Sequence, residues 1–453
     1  MTTNASTSRR KRRLSAAAGL LVLAVAASPA AAGRSQTELV SVARAGAAGN
    51  ASSHNPDVSA DGRYVAFQSF ASDLVARDTN GAFDVFVRDR RSGRTTRVSV
   101  SSTGRQGNAG SIEPSISADG RFVAFASDAS NLVRGDRNRT TDVFVHDRLT
   151  GRTARVSVSS RGVQGNGESA GATVSASGRF VAFSSEATNL VAQDTNRATD
   201  VFLRDRRTGR TTRVNVTSRE RQARGETITV TPALSAGGRF VAFDSTASNL
   251  VRGDTNRAVD VFLRDRRTGK TKRVSVTSTE RQANGDSFNP ALAAGGRFVS
   301  FNSLATNLVR RGDTNRLMDV FVRDRGGATT TRVSVDSAGR QSDGRRDPDD
   351  PATYGDSGDA DISANGRFVT FYSTALNLAA DDGNAAPDIF VHDRLTRVTT
   401  RASVAADGSE AAGWSVTPEI SADGRVVTFL SDAENLVSED ANGAADIFVR
   451  AFS

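Results

Sequence analysis

The stretch "PSISADGRFVAFASDASNLVRGDRNRTTDVFVHDRLTGRTARVSV", Pro114 to Val158, is one of seven versions of the same unit. Its Gly-Arg dipeptide recurs at Gly62, Gly120, Gly178, Gly238, Gly296, Gly366 and Gly424, spaced by 58, 58, 60, 58, 70 and 58 residues. A fixed period of this kind marks a repeat architecture. Within the unit, Phe122 to Ser127, Asp142 to Asp147 and Thr153 to Val158 are short runs rich in β-branched and aromatic residues, separated by the turn signals "SADG" and "LTG". With Pro114 to Ser117 they predict four antiparallel strands per unit. Both faces of the second strand are apolar, Val123 and Phe125 on one side and Phe122, Ala124 and Ala126 on the other. That pattern suits a small sheet packed between two others, the blade of a propeller.

The two ends of the chain carry the closure. "TELVSV", Thr37 to Val42, matches the fourth strand "TARVSV", while the last unit stops at "DIFVRAFS", just after its third strand. An N-terminal strand that completes the last blade leaves no unpaired sheet edge. The expected fold is all-β: a single seven-bladed β-propeller spanning residues 34–453, closed by that strand.

Residues 1–33 read as a signal peptide. Arg9, Arg10, Lys11, Arg12 and Arg13 precede the apolar run "LSAAAGLLVLAVAA" and the small residues "SPAAAG". The run is shorter than the roughly 20 residues of a spanning helix, and no later segment approaches that length. The protein is therefore expected outside the cytoplasm, secreted or in the periplasm or cell envelope, with no integral membrane segment after cleavage. Five of the chain's nine net positive charges belong to this leader, and only three Tyr and one Trp are present, which argues against a nucleic-acid partner. Cysteine is absent, so neither disulfides nor thiolate metal sites contribute.

"SADGRYVAF" followed by "DVFVRD" resembles the S-P-D-G-x-x-I-A-F and D-I-Y-V motifs of the PD40 or TolB-like WD40-type propeller repeat, with Ala60 and its equivalents where that family usually has proline. The resemblance implies a propeller fold. TolB itself carries an additional N-terminal α/β domain, and prolyl-oligopeptidase-like relatives carry a hydrolase domain; neither is expected here. The units are longer than usual because "ASNLVRGDRNRTTD" is inserted between second and third strands.

That insertion supplies the candidate site. An Asp-x-Asn-x3-Asp triad recurs in every unit: Asp78, Asn80, Asp84; Asp136, Asn138, Asp142; Asp194, Asn196, Asp200; Asp254, Asn256, Asp260; Asp313, Asn315, Asp319; Asp382, Asn384, Asp388; and Asp440, Asn442, Asp446. Oxygen side chains at alternate positions can supply several ligands to calcium from one turn, and "DTNGAFD" resembles the tail of the calcium loop of integrin-like propellers. The first acidic ligand of that loop is missing, Ala76 and Arg134 standing in its place, and the glycine is kept only at Gly81 and Gly443. The same residues also build Asx-turns, which need no ion. Both readings, calcium and turn architecture, stand at this point.

Enzyme signals are sparse. Of three histidines, His146 and His392 occupy a strand position that holds Arg88 or Arg204 elsewhere, and His54 precedes blade one. "GDSG", Gly355 to Gly358, reads as a loop, since catalytic triads are defined by geometry and not by a tetrapeptide. Loop connectivity puts the triads on one face and Arg63, Arg121, Arg179, Arg239, Arg297, Arg367 and Arg425, with Arg94, Arg152, Arg210 and Lys270, on the other; pairing of these arginines with Asp89-type carboxylates is the plain alternative to a charged face. The extra residues of the 70-residue spacing fall in Ser342 to Asp361, an acidic insertion read either as a binding loop or as a tolerated one. The leading expectation is a monomeric scaffold that binds a protein or cell-envelope glycan through its triad face. The alternative is a polysaccharide-active enzyme of the TolB-like lyase type; a carboxylate and His cluster in the channel would favour it, and a channel lined by residues such as Ser115, Thr231 and Thr417 would favour the scaffold.

Overall fold

The computed structural model describes Met1 and residues 36–228, 231–310, 313–343, 357–384 and 386–452. The expected leader, residues 1–33, and most of the Ser342 to Asp361 insertion lie outside the described residues. Every regular element described is a strand. The strands form seven four-stranded sheets, each a meander running from an inner strand at the axis to an outer strand at the rim. Blade two, for example, is Ser111–Ile116, Phe122–Ser127, Asp142–Asp147 and Arg152–Arg155. Gln36–Leu39 pairs antiparallel with Asp446–Ala451, Leu39 facing Phe448, and so supplies the outer strand of blade seven.

The second strand is apolar on both faces because each face packs on a different blade. Val123 and Phe125 join Ala66, Val85 and Val87 of blade one, while Ala124 joins Val181 and Phe183 of blade three. Inside each blade a phenylalanine pair bridges second and third strands, as Phe125 and Phe144 do at 6.0 Å between centroids. Neighbouring blades are also tied by threonine: Thr211 Oγ1 donates to the Val158 carbonyl at 2.6 Å, and at the closure Thr37 Oγ1 donates to the Val404 carbonyl at 2.5 Å.

Two expectations on strand bounds are corrected. Inner strands begin three residues earlier than Pro114, at Ser111 in blade two, because a bulge with a non-glycine residue at positive φ (Glu113, 53°) interrupts the alternation that sequence reading relies on. Outer strands end early, at Arg155 and at Leu39, because the chain then curls over the blade; Val158 bridges Gln164, and Val42 bridges Ala48. The "GDSG" loop is also corrected in part. Ser357 and Gly358 open the inner strand of blade six, and Ser357 Oγ donates to Ser373 Oγ at 2.9 Å, as the equivalent serine does in blade one.

Gly120 shows why Gly-Arg repeats so faithfully. Its φ is +70°, and a Cβ there would lie 2.1 Å from Cδ2 of Tyr64 in the preceding blade. The Tyr64 ring is in turn covered by Arg63 and Arg148, with guanidinium carbons 4.7 and 4.6 Å from its centroid, a cation–π sandwich across the blade junction.

Candidate functional site

The triads lie together on one face, and in six of the seven blades two residues of the same blade that sequence reading did not connect to them close the set. In blade two, the Arg155 guanidinium from the outer strand is 2.8 Å from Asp136 and 3.3 Å from Asp142, and Gln164 Nε2 donates to both carboxylates at 2.8 and 2.9 Å. Asn138 donates to the Gly165 carbonyl at 3.1 Å and pins the loop. Blades one, three and four repeat the set with Arg97 and Gln106, Arg213 and Gln222, and Arg273 and Gln282. In blade five Arg332 lies 3.6 Å from Asp313 and 3.1 Å from Asp319, and bonds Gln341. The asparagines also make the Asx-turns expected of them, Asn80 accepting from the Ala82 N–H at 3.2 Å and Asn256 from that of Ala258 at 3.2 Å. In these blades a guanidinium from the chain itself stands against the two carboxylates.

Blade six alters the set. Glu410 replaces the glutamine, so Arg401 faces three carboxylates: Glu410 at 2.5 Å, Asp388 at 3.2 Å and Asp382 at 3.8 Å. Burial, followed by the like charge of Asp388, pushes Asp382 up to about 7; burial pushes Asp388 up to about 6. Blade seven departs furthest. Its outer strand is the N-terminal one, which carries Leu39 where the others have arginine, and Ala48 stands where they have glutamine. Asp446 accepts from Ser41 Oγ at 2.5 Å and from Asn442 Nδ2 at 2.6 Å, and no arginine pairs with it or with Asp440 among the described residues.

On the opposite face six arginines make two-pronged pairs with aspartates at the end of the third strand: Arg63 with Asp89, Arg121 with Asp147, Arg179 with Asp205, Arg239 with Asp265, Arg297 with Asp324 and Arg367 with Asp393. The arginine bonds hold these carboxyls well below the usual range. Arg425 lacks that partner, because Ala451 stands at the aspartate position, and it is three-quarters exposed. Arg94, Arg152, Arg210 and Lys270 are exposed on the rim of this face.

His146 and His392 do substitute for arginine. His146 Nδ1 lies 2.9 Å from Thr153 Oγ1, as Arg204 Nη1 lies 2.9 Å from Thr211 Oγ1. Burial pushes both histidines down to about 4. His54 packs edge-on against Phe83.

The central channel holds a cavity of about 420 Å³. Ser115, Thr231 and Thr417 line it as expected, and none of the three histidines does. Carboxylates line it too: Asp57 from blade one, Asp361 from blade six and Glu419 from blade seven occupy the repeat position that is Ser115 in blade two and Thr173 in blade three. Asp57 accepts from the Val58 N–H at 2.7 Å and, across the blade junction, from the Ile116 N–H at 2.6 Å; Asp361 accepts from the Ile420 N–H at 3.0 Å. Burial pushes Asp57 up to about 7 and raises Asp361; burial and the neighbouring Asp361 raise Glu419 well above the carboxylate range. The acidic wall spans three adjacent blades, and burial favours the protonated form of its carboxyls.

The triad face also carries a groove of about 1030 Å³ between blades three and four. Arg219, Arg221, Arg224 and Arg252 line it and are exposed, with no carboxylate in ion-pair range of any of them among the described residues. Arg224 stands where four other blade junctions have an asparagine that ties two loops, Asn50, Asn108, Asn166 and Asn284; Asn108, for instance, donates to Ser130 Oγ at 3.0 Å and accepts from its N–H at 2.9 Å. The loop from blade three to blade four thus trades a side-chain tie for an unpaired cation.

No protein-family model matches the chain, and no curated protein matches it. Among solved structures, the β-propeller domain of the Trilobed protease from Pyrococcus furiosus, described as having an open velcro topology, aligns with a TM-score of 0.51 at 11% identity over 88% of this chain and 93% of that one. An oligogalacturonate lyase in complex with manganese aligns with a TM-score of 0.52 at 11% identity over 92% and 96%. TolB from Acinetobacter baumannii aligns more loosely, with a TM-score of 0.39 at 11% identity over 86% and 81%. Likeness at these identities is likeness of fold, so the class is a seven-bladed β-propeller. Here the ring is closed by the pairing of the N-terminal strand with the last one.

Proposed function

We propose that the protein is an exported binding scaffold that holds an acidic protein or cell-surface glycan on its triad face. The observation that carries this reading is the groove between blades three and four, whose Arg219, Arg221, Arg224 and Arg252 are unpaired with carboxylates. Four exposed guanidinium groups that converge on one groove, with no carboxylate paired to them, offer a surface suited to an anionic ligand. The expected leader places such a partner outside the cytoplasm, and among the described residues no helix is long and apolar enough to cross a membrane. Retention of envelope extract and of polygalacturonate by the immobilised protein tests the reading. Retention that falls steeply with added salt supports it, and no retention at low salt contradicts it.

A second reading, a polysaccharide lyase, is favoured by the acidic channel wall of Asp57, Asp361 and Glu419. It would show as release of unsaturated uronate from polygalacturonate, abolished by Asp57→Asn.

A further inference from the structure

Blade seven combines a buried acidic pair with the loss of both residues that neutralise it elsewhere. Asp440 is 4% exposed, and neither of its carboxylate oxygens has a hydrogen-bond partner; the Asn442 N–H faces the group without hydrogen-bond geometry. Asp446 is fully buried. The guanidinium that reaches this place in six blades is here Leu39, and the Gln side chain that bridges the two carboxylates is here Ala48. Replacing two long polar side chains with shorter apolar ones removes the positive charge and the bridging amide while the carboxylates stay. Two buried carboxylates without a counter-charge are costly in any fold. Blade six, although more acidic, retains Arg401 among its carboxylates.

We propose that blade seven binds one calcium ion, held by Asp440, Asp446 and the side-chain oxygen of Asn442. The donors are all oxygen and include two carboxylates, the set a hard divalent cation takes, with water completing the six to eight ligands calcium requires. Asn442 Oδ1 accepts from the Ala444 N–H at 2.8 Å and keeps a second lone pair. Asp73 and Glu434 add negative charge at the entrance, acting on Asp446 and Asp440 respectively. The ion sits where the chain ends meet: Asp446 is held by Ser41 Oγ of the N-terminal segment, and Asn442 Nδ2 donates to the Gly49 carbonyl at 2.7 Å. Calcium would therefore fix the residues that hold the N-terminal segment to the last blade, and the other six triads carry their own cation.

Calcium titration of the full chain by calorimetry, with the melting midpoint measured in calcium, in magnesium and in chelator, tests the proposal. One calcium per chain is expected, with a dissociation constant on the order of 10⁻⁴–10⁻³ M as in extracellular modules, and a midpoint that rises with calcium. Asp440→Asn should abolish both the binding and the calcium response, as should Leu39→Arg, which plants the guanidinium of the other blades. Asp142→Asn in blade two should leave both unchanged. The proposal is overturned by no calcium binding, by several equivalents per chain, by an equal response to magnesium, or by binding that survives in Asp440→Asn.

Discussion

Arg155→Leu gives blade two the residue that blade seven has at that position, and its effect can be bounded from the structure. Asp136 and Asp142 lose the guanidinium that faces them at 2.8 and 3.3 Å, and both carboxylates are buried, with side chains 6% and 0% exposed. Removing one partner of a buried ion pair costs about 3–5 kcal/mol because the remaining charge is left uncompensated. Two features limit the loss. Gln164 still donates to both carboxylates, and one aspartate can take up a proton, which for a group of ordinary pKa 3.8 costs about 4 kcal/mol at pH 7 and about 2 kcal/mol at pH 5. Equilibrium urea unfolding in chelator should therefore show a loss of about 3–4 kcal/mol at pH 7, shrinking to about 2 kcal/mol or less at pH 5. A loss below about 0.5 kcal/mol at pH 7, in the range of an ordinary surface change, or a loss independent of pH, would refute the idea that arginine neutralises the triads.

Removing residues 36–42 exposes the edge of Asp446–Ala451 and takes away Ser41 beside Asp446, so aggregation or a lower melting midpoint is expected in size-exclusion chromatography and calorimetry; a monomer with unchanged melting would contradict the closure. Asp382 and Asp388 have folded pKa values of about 7 and about 6, above the ordinary 3.8, so they hold protons more tightly in the folded chain; the stability they contribute is full below about pH 4 and is lost as pH rises through 6 to 7. Glu410→Gln removes one of the like charges, and should flatten the stability profile between pH 4 and 7 and add about 1 kcal/mol at pH 7, the equivalent of a little under one pKa unit; an unchanged slope in urea unfolding at several pH values would count against it.

Much of the fold is legible in the sequence because second and third strands are dense in Val, Phe and Ala. Phe122–Ser127 and Asp142–Asp147 are found with the bounds expected for them. Inner strands were harder to read, since Asn55, Glu113, Asn289, Asp359 and Thr417 stand at positive φ within the strand and turn polar side chains to the axis. The triads were visible as spacing, but their partners were not. Arg155 and Gln164 lie 13 and 22 residues beyond Asp142, in a strand and a loop that look like solvated surface, and only the folded blade brings the four together. The signal was present as a column of the repeat that reads Arg97, Arg155, Arg213, Arg273, Arg332 and Arg401 and ends in Leu39. A similar column, Asp57, Ser115, Thr173, Asp361 and Glu419, holds the acidic channel wall that sequence reading passed over.

The binding role is tested most directly by comparing capture of envelope components by the intact protein and two variants, one in the groove and one in the channel. The groove variant carries alanine at Arg219, Arg221, Arg224 and Arg252; the channel variant combines Asp57→Asn with Glu419→Gln. All three must first show matching melting curves. Capture lost by the groove variant and kept by the channel variant is the result a triad-face scaffold requires. Capture kept by the groove variant and lost by the channel variant would contradict that account and place the working surface at the axis of the propeller.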